Sequence, residues 1–154
     1  MRIIISPFSQ KLRNGNKNAK NYPAAWWREV IYNLQGKGHE VIQIGVKGED
    51  QMVPDFRVAL HMNELQKLLL SADTFISVDN FLPHMASYLQ KSGYVIWGVS
   101  SPFIFGYTLH TNILKDPTNL RPNQFDIWEG VPYREDVFPE PSHIIKYFQK
   151  KTNA

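Results

Sequence analysis

Short apolar runs of strand length alternate along the chain with segments whose apolar residues recur at helical spacing. The strand-like runs cover residues 2–6, 39–45, 57–60, 74–78, 94–97 and, more weakly, 111–114. Helical spacing predicts helices over residues 23–36, 63–71, 83–91 and 142–150. Strands that alternate with helices in this way form an open, mostly parallel sheet with helices on both faces.

The size of the chain fits one such unit. Its 154 residues are 43% hydrophobic, which is enough to bury a single core. We therefore predict one Rossmann-like α/β domain over residues 1–154. Within it, residues 107–140 are rich in proline and aromatic side chains, which predicts an irregular extension that either covers an open face of the sheet or docks a partner. The last four residues are expected to fray.

Composition and charge exclude several kinds of site and partner. The net charge of +3 is too small to favour a nucleic-acid partner. The chain has no cysteine, which excludes disulfides and thiolate metal sites, and its histidines lack metal-ligand spacing, so we expect no metal and no cofactor. No apolar stretch is long enough to span a membrane, and no secretory pattern follows Met1, so we expect a cytoplasmic protein.

Basic residues are concentrated in one loop. Lys11, Arg13, Lys17 and Lys20 follow the first strand, and the first acidic residue is Glu29. A long loop of Lys, Asn and Gly can form an anion-binding concavity, although a solvated basic loop is the alternative. The sequence contains neither a Walker loop nor Gly-x-Gly-x-x-Gly, which argues against the usual NTP and dinucleotide sites.

A second candidate anion site follows the strand at residues 74–78. Parallel sheets bind ligands at the carboxyl ends of their strands, where Asp79 to His84 lead into a helix. The free N–H groups of a helix N-terminus suit a phosphate, and His84 in the first turn can donate to the same anion. The alternative is that Asp79 or Asn80 is an N-cap and His84 a surface residue.

Six groups of residues then follow one another in a characteristic order. They are Lys20-Asn21-Tyr22-Pro23 with Trp27, residues 38–45, residues 46–49, the predicted helix over residues 63–71, residues 79–84 with Ala86, and residues 98–102. The series covers residues 1–115 and resembles the C-terminal, nucleotide-sugar-binding half of glycosyltransferase family 9, the ADP-heptose:lipopolysaccharide heptosyltransferases of GT-B fold.

The resemblance implies a role for each matching residue. Lys20 would contact the donor phosphates or the transferred sugar, Glu49 the ribose, and Asp79 and His84 the donor. The backbone N–H groups of Asn80 and Phe81 would bind the pyrophosphate. Phe81 departs from the family, which has glycine there, so its side chain is expected to reshape or block that site.

The resemblance also implies that transfer needs a second domain. The family's acceptor domain supplies the catalytic base, and none precedes Met1 in this sequence. We therefore expect a domain that binds a nucleotide sugar or nucleoside diphosphate and transfers the sugar only with a protein partner or homo-oligomer. No catalytic residue is assigned, although Asp126, Glu129 or Asp136 of a second copy could supply a carboxylate. The alternative is a noncatalytic interaction module that has lost donor binding.

Overall fold

A computed structural model describes residues 1–149 of the chain. The strands are β1 (Arg2–Ser6), β2 (Glu40–Gly45), β3 (Phe56–Val58), β4 (Thr74–Val78), β5 (Tyr94–Trp97) and β6 (Thr111–Leu114). The helices are α1 (Ala24–Gly36), α2 (Met62–Ser71), α3 (Phe81–Tyr88), α4 (Pro102–Phe105) and α5 (Pro141–Ile145). Short 3₁₀ turns cover Pro117–Asn119 and Lys146–Phe148.

The six strands form one sheet in the order β3-β2-β1-β4-β5-β6, and every neighbouring pair is parallel. The central strand β1 pairs with β2 from Arg2 opposite Glu40, and with β4 from Ile3 opposite Thr74. The predicted α/β fold is confirmed, and the sheet is wholly rather than mostly parallel.

Side chains alternate between two faces of the sheet, and each face carries its own core. Ile3 and Ile5 pack with α1, α5 and the buried ring of Phe138, whereas Ile4 packs with α2 and α3 on the opposite face. All three isoleucines are completely buried. A strand buried on both faces must be apolar at consecutive positions, which explains the uninterrupted run in β1. Helices therefore cover both faces, as predicted.

Three elements differ from their predicted bounds by two residues or more, for local reasons. Strand β3 ends before Ala59, whose φ of 53° breaks the extended backbone. Helix α3 begins at Phe81 because Asn80 caps it, with Pro83 tolerated in the first turn, and it ends at Tyr88. The predicted closing helix is the short α5 followed by a 3₁₀ turn, and its predicted last residue, Lys150, lies outside the described residues, as do residues 151–154.

Residues 107–140 pack against the rest of the domain at several points. They contain β6 and one 3₁₀ turn, and Val137 and Phe138 are fully buried in the core beside α1. The Tyr22 hydroxyl donates to the Pro139 carbonyl at 2.8 Å, and the Tyr133 hydroxyl donates to the Asn21 carbonyl at 2.9 Å. These contacts fasten the segment beside the basic loop. Within residues 1–149, no helix has the length and apolar character needed to cross a membrane.

Candidate functional site

The strand order creates a crevice between β1 and β4. The chain leaves β1 through α1 toward β2 on one side, and leaves β4 through α3 toward β5 on the other. Ligands of doubly wound sheets bind at such a switch point, beyond the carboxyl ends of the strands. A cavity of about 1170 Å³ lies here, lined by Ser6 after β1, Gly45 at the end of β2 and Asp79 after β4.

Asn80 joins two walls of this cavity. Its side-chain amide donates to the carbonyls of Ser6 and Phe8 at 3.1 and 3.2 Å, and its carbonyl oxygen accepts from the Leu82 N–H at 3.0 Å. One side chain thus caps α3 and ties this helix to the loop after β1. The residue after Leu82 is a proline, which has no N–H group, so the donors left at this helix end are the N–H groups of Asn80 and Phe81. The N-terminus of α3 presents them to the cavity together with the positive end of the helix dipole.

Lys20 and Asp79 form an ion pair in the same wall. Lys20 Nζ and Asp79 Oδ2 are 3.4 Å apart, and the two side chains expose only 20% and 10% of their surface. The buried Asn18 side chain accepts from the Lys20 N–H at 3.0 Å and donates to the Gln10 carbonyl at 2.9 Å. The hydrogen bonds of Asn18 therefore fix the backbone at the end of the basic loop. Lys20 is held by these bonds and by its ion pair with Asp79, and does not lie in a freely solvated segment.

Glu49 lines the same cavity from the loop that follows β2. Its carboxylate packs against Gly45, where an added Cβ would stand 2.5 Å from Glu49 Oε2. Burial raises the pKa of this carboxyl above its ordinary value, and the Val46 backbone N–H and Lys11 act in the opposite direction. Lys11 Nζ also donates to the Gly48 carbonyl at 3.4 Å. A partly buried carboxylate beside the sheet edge can accept hydrogen bonds from ligand hydroxyl groups.

The structure brings five of the six predicted site residues to one cavity: Lys20, Glu49, Asp79, Asn80 and Phe81. Phe81 is the first residue of α3, exposes 53% of its surface and forms part of the cavity wall. His84 does not line the cavity. Its Nδ1 lies 2.7 Å from the Tyr107 hydroxyl, and the two rings meet edge to face. A donor contact by His84 stays a prediction that requires this ring to move.

Sequence reasoning missed the third wall of the cavity, which contains Ile127, Trp128 and Glu129. The Trp128 indole centroid lies 4.6 Å from Lys20 Nζ, and the Asn14 side chain donates to the Glu129 carbonyl at 2.9 Å. These residues belong to no helix or strand with a regular hydrophobic spacing. They reach the site through contacts with residues that are far away in the sequence. An isolated tryptophan beside two acidic residues was the available signal.

The described residues offer cations for an anionic ligand but no metal centre. Lys11, Arg13 and Lys20 line the cavity together with Arg57, which is already paired with Asp55 at 3.0 Å. Within residues 1–149, no three His, Asp or Glu side chains come together in a way that could hold a metal ion. The arrangement suits a phosphate-bearing ligand held by ammonium groups and backbone donors.

The fold recurs in solved heptosyltransferases. E. coli ADP-heptose LPS heptosyltransferase II superposes with a TM-score of 0.66 at 15% identity, over 96% of this chain and 45% of that chain. The dodecameric iron-containing heptosyltransferase TibC, in complex with ADP-D-beta-D-heptose, gives 0.59 at 18% identity, over 94% and 41%. E. coli heptosyltransferase WaaC with ADP-2-deoxy-2-fluoro heptose gives 0.58 at 18% identity, over 76% and 38%.

This chain therefore spans less than half the length of these relatives. A search of curated proteins finds no match. The model of glycosyltransferase family 9 (heptosyltransferase) matches residues 3–115, which is most of the chain. This match includes the strands and loops that supply Lys20, Glu49, Asp79, Asn80 and Phe81. On this match, the chain belongs to glycosyltransferase family 9.

Proposed function

We propose that the cavity binds a nucleoside diphosphate or nucleotide sugar, with the diphosphate beside Lys20 and the N-terminus of α3. The observation that carries this proposal is that a lysine and a helix N-terminus, two kinds of group that bind phosphate, line one cavity at the switch point of a parallel sheet. Lys20 supplies a positive charge on the cavity wall, and the start of α3 supplies the backbone N–H groups of Asn80 and Phe81. A phosphate at this position would contact both.

Glu49 is the proposed partner of the nucleoside ribose. In parallel nucleotide-binding sheets an acidic side chain beyond the second strand accepts hydrogen bonds from ribose hydroxyls. Glu49 follows β2 and lines the same cavity as Lys20. The ligand would then lie across the carboxyl ends of β2, β1 and β4, with its ribose at β2 and its phosphates at β4.

Phe81 is compatible with this ligand. Its ring forms part of the wall, and a cavity of about 1170 Å³ remains beside it. Compact ligand pockets are commonly about 300–1000 Å³. The side chain therefore lines the site without filling it.

Two of the solved relatives hold ADP-heptose or its fluoro analogue, so adenine nucleotides are the first ligands to test. A cytoplasmic location belongs to the same proposal.

Sugar transfer is proposed to require a second unit, whether attached to this chain or supplied by another. Transfer needs donor and acceptor held together and a base within reach of the acceptor hydroxyl. Of the carboxylates that line the cavity, Asp79 is paired with Lys20 and Glu49 is assigned to the ribose. Glu129 also lines the cavity, so the second unit is proposed to be needed for holding the acceptor beside the donor rather than for supplying a carboxylate.

A thermal-shift series with ADP, UDP, GDP, CDP and ADP-ribose tests the proposal. Ligand at about 100 times its Kd stabilises the native state by about 2.7 kcal/mol. We expect ADP to raise the melting temperature of the wild type, and to do so less at high salt. Lys20→Met should reduce the shift, and the same change at the exposed Lys37, away from the cavity, should not. No shift with any ligand at millimolar concentration would refute the proposal.

The alternative function, a noncatalytic interaction module, is favoured by exposed apolar side chains, one of which lies on the cavity wall. Phe103 and Phe125 each expose 77% of their surface, and Ile127, on the cavity wall, exposes 70%. Protein surfaces that bind partners commonly display such groups. If no nucleotide binds, this rim is the surface on which to place a protein partner.

A further inference from the structure

Residues 121–129 form a loop that is fixed from within. The Arg121 guanidinium donates to the carbonyls of Gln124 at 3.1 Å and Ile127 at 2.9 Å, and also to that of Asp126. The buried Gln124 side chain donates to the Val99 carbonyl at 2.9 Å and accepts from the Ser101 N–H at 2.9 Å. These two hydrogen bonds attach the loop to residues 99–101, which follow β5.

This loop holds Trp128 against two cations. The indole centroid lies 3.5 Å from the Arg121 guanidinium carbon and 4.6 Å from Lys20 Nζ. Both distances are within the range of about 6 Å in which a cation is attracted to an aromatic face. Three backbone carbonyls hold the Arg121 guanidinium, and the Trp128 ring packs on this fixed group. The ring is therefore a rigid surface for the Lys20 ammonium group.

A rigid surface of this kind reduces the conformational entropy that Lys20 loses when it binds phosphate. A lysine side chain has many rotamers, and restricting them costs free energy when a ligand binds. In the ligand-free chain, Asp79 restrains Lys20 from one side. A phosphate competes with Asp79 for the ammonium group, whereas the uncharged indole can stay in contact with it throughout.

We propose that Trp128 is a positioning residue, which holds the Lys20 ammonium group in place for the phosphate of the ligand. The inference deepens the proposed function and rests on it. Trp128 lies after residue 115, where the match to the family model ends.

A double-mutant cycle measured by calorimetry with ADP tests this role. Trp128→Leu should weaken ADP binding about threefold to tenfold, the range of a partly exposed cation–π contact, and Trp128→Phe should recover part of the loss. In a Lys20→Met background, Trp128→Leu should change the Kd by less than about twofold, because the contact is already absent. Equal losses in both backgrounds, or no loss in either, would overturn the proposal.

A ligand-free measurement separates this inference from the proposed function. The Lys20 Hε signals, assigned with Lys20→Met, should lie upfield of other lysines because of the indole ring current. Trp128→Leu should move them to the ordinary position, and Trp26→Leu, at a half-buried tryptophan that packs on Tyr22, should not.

The two measurements fail in different ways. Ordinary Lys20 shifts in the wild type would overturn the positioning role even if ADP binds. Failure of the wild type to bind ADP would overturn the proposed function and, with it, the phosphate role of Trp128, even if the upfield shift is seen. If Trp128→Leu does not fold, Trp128→Phe and the wild-type spectrum still decide the contact.

Discussion

Replacing Gly45 by alanine tests whether Glu49 contacts the nucleotide. The added Cβ would stand 2.5 Å from Glu49 Oε2 and 3.1 Å from Phe56 Cε2. Ordinary contacts of this kind are about 3.5 Å long, so the carboxylate must withdraw by about 1 Å. Glu49 can do so easily because its side chain is flexible, and the partly exposed Phe56 ring needs to yield by only a few tenths of an ångström.

A displacement of this size is enough to break a hydrogen bond to the ribose. A charge-assisted hydrogen bond contributes about 1.5–3 kcal/mol, so we expect Gly45→Ala to weaken ADP binding about tenfold to a hundredfold. The fold should survive, because Gly45 does not need a left-handed φ and glycine-to-alanine changes at compatible positions shift the free energy of unfolding by about 1 kcal/mol or less.

Calorimetry with ADP measures the affinity, and urea unfolding measures the stability of the same samples. Gly36→Ala is the matched control, because nothing lies within 4 Å of its added Cβ, at the end of α1. Glu49→Gln should reproduce the loss of affinity without any change at Gly45. Wild-type affinity in both Gly45→Ala and Glu49→Gln would refute the assignment of Glu49 to the ribose.

Three further changes probe other parts of the structure. The raised pKa of Glu49 means that the folded chain holds this proton more tightly than the unfolded chain, so stability falls as pH rises from 4.5 through the folded pKa. Glu49→Gln should therefore melt at a higher temperature than the wild type at pH 7, and the difference should vanish as the pH falls below 4.5; a constant difference would contradict this. Gly98→Ala should destabilise the fold by about 1–3 kcal/mol in urea unfolding, since its Cβ would stand 2.5 Å from the buried Phe138 ring, and an unchanged midpoint would show that the core can yield. His84→Ala should raise the Kd for ADP less than Lys20→Met does, because Lys20 lines the cavity and His84 does not. A larger rise in Kd for His84→Ala would show that His84 contacts the ligand.

The central elements of the fold were predictable because buried positions in helices and strands are occupied by apolar residues at a regular spacing. Strand β4 is buried at all five positions, and its five residues carry no charge and are bounded by Asp73 and Asp79. Helix α1 shows its buried face as Trp27, Val30, Ile31 and Leu34. Helix α4 has only four residues, too few to show a period. Its signal was the Ser101-Pro102 pair, in which serine caps the first turn and proline occupies its start.

The candidate site was predictable only where topology alone determines position. Asp79 and Glu49 follow parallel strands, and parallel strands bring their carboxyl ends to one edge. Trp128 reaches the same cavity through the hydrogen bonds of Arg121 and Gln124, which join residues with no regular spacing between them. His84 was expected at the ligand because it lies in the first turn of α3, but helix rotation directs its ring toward Tyr107.

The central place of β1 in the sheet has a consequence for synthesis of the chain. Both strands that pair with β1 are made after it, and β4 is complete only at Val78. Until then β1 can pair only with β2, and its other edge has no partner, because long-range parallel pairing with β4 must wait for the later strand. A nascent chain stalled before residue 78 would therefore carry an apolar central strand with one unpaired edge, the kind of edge at which chains aggregate.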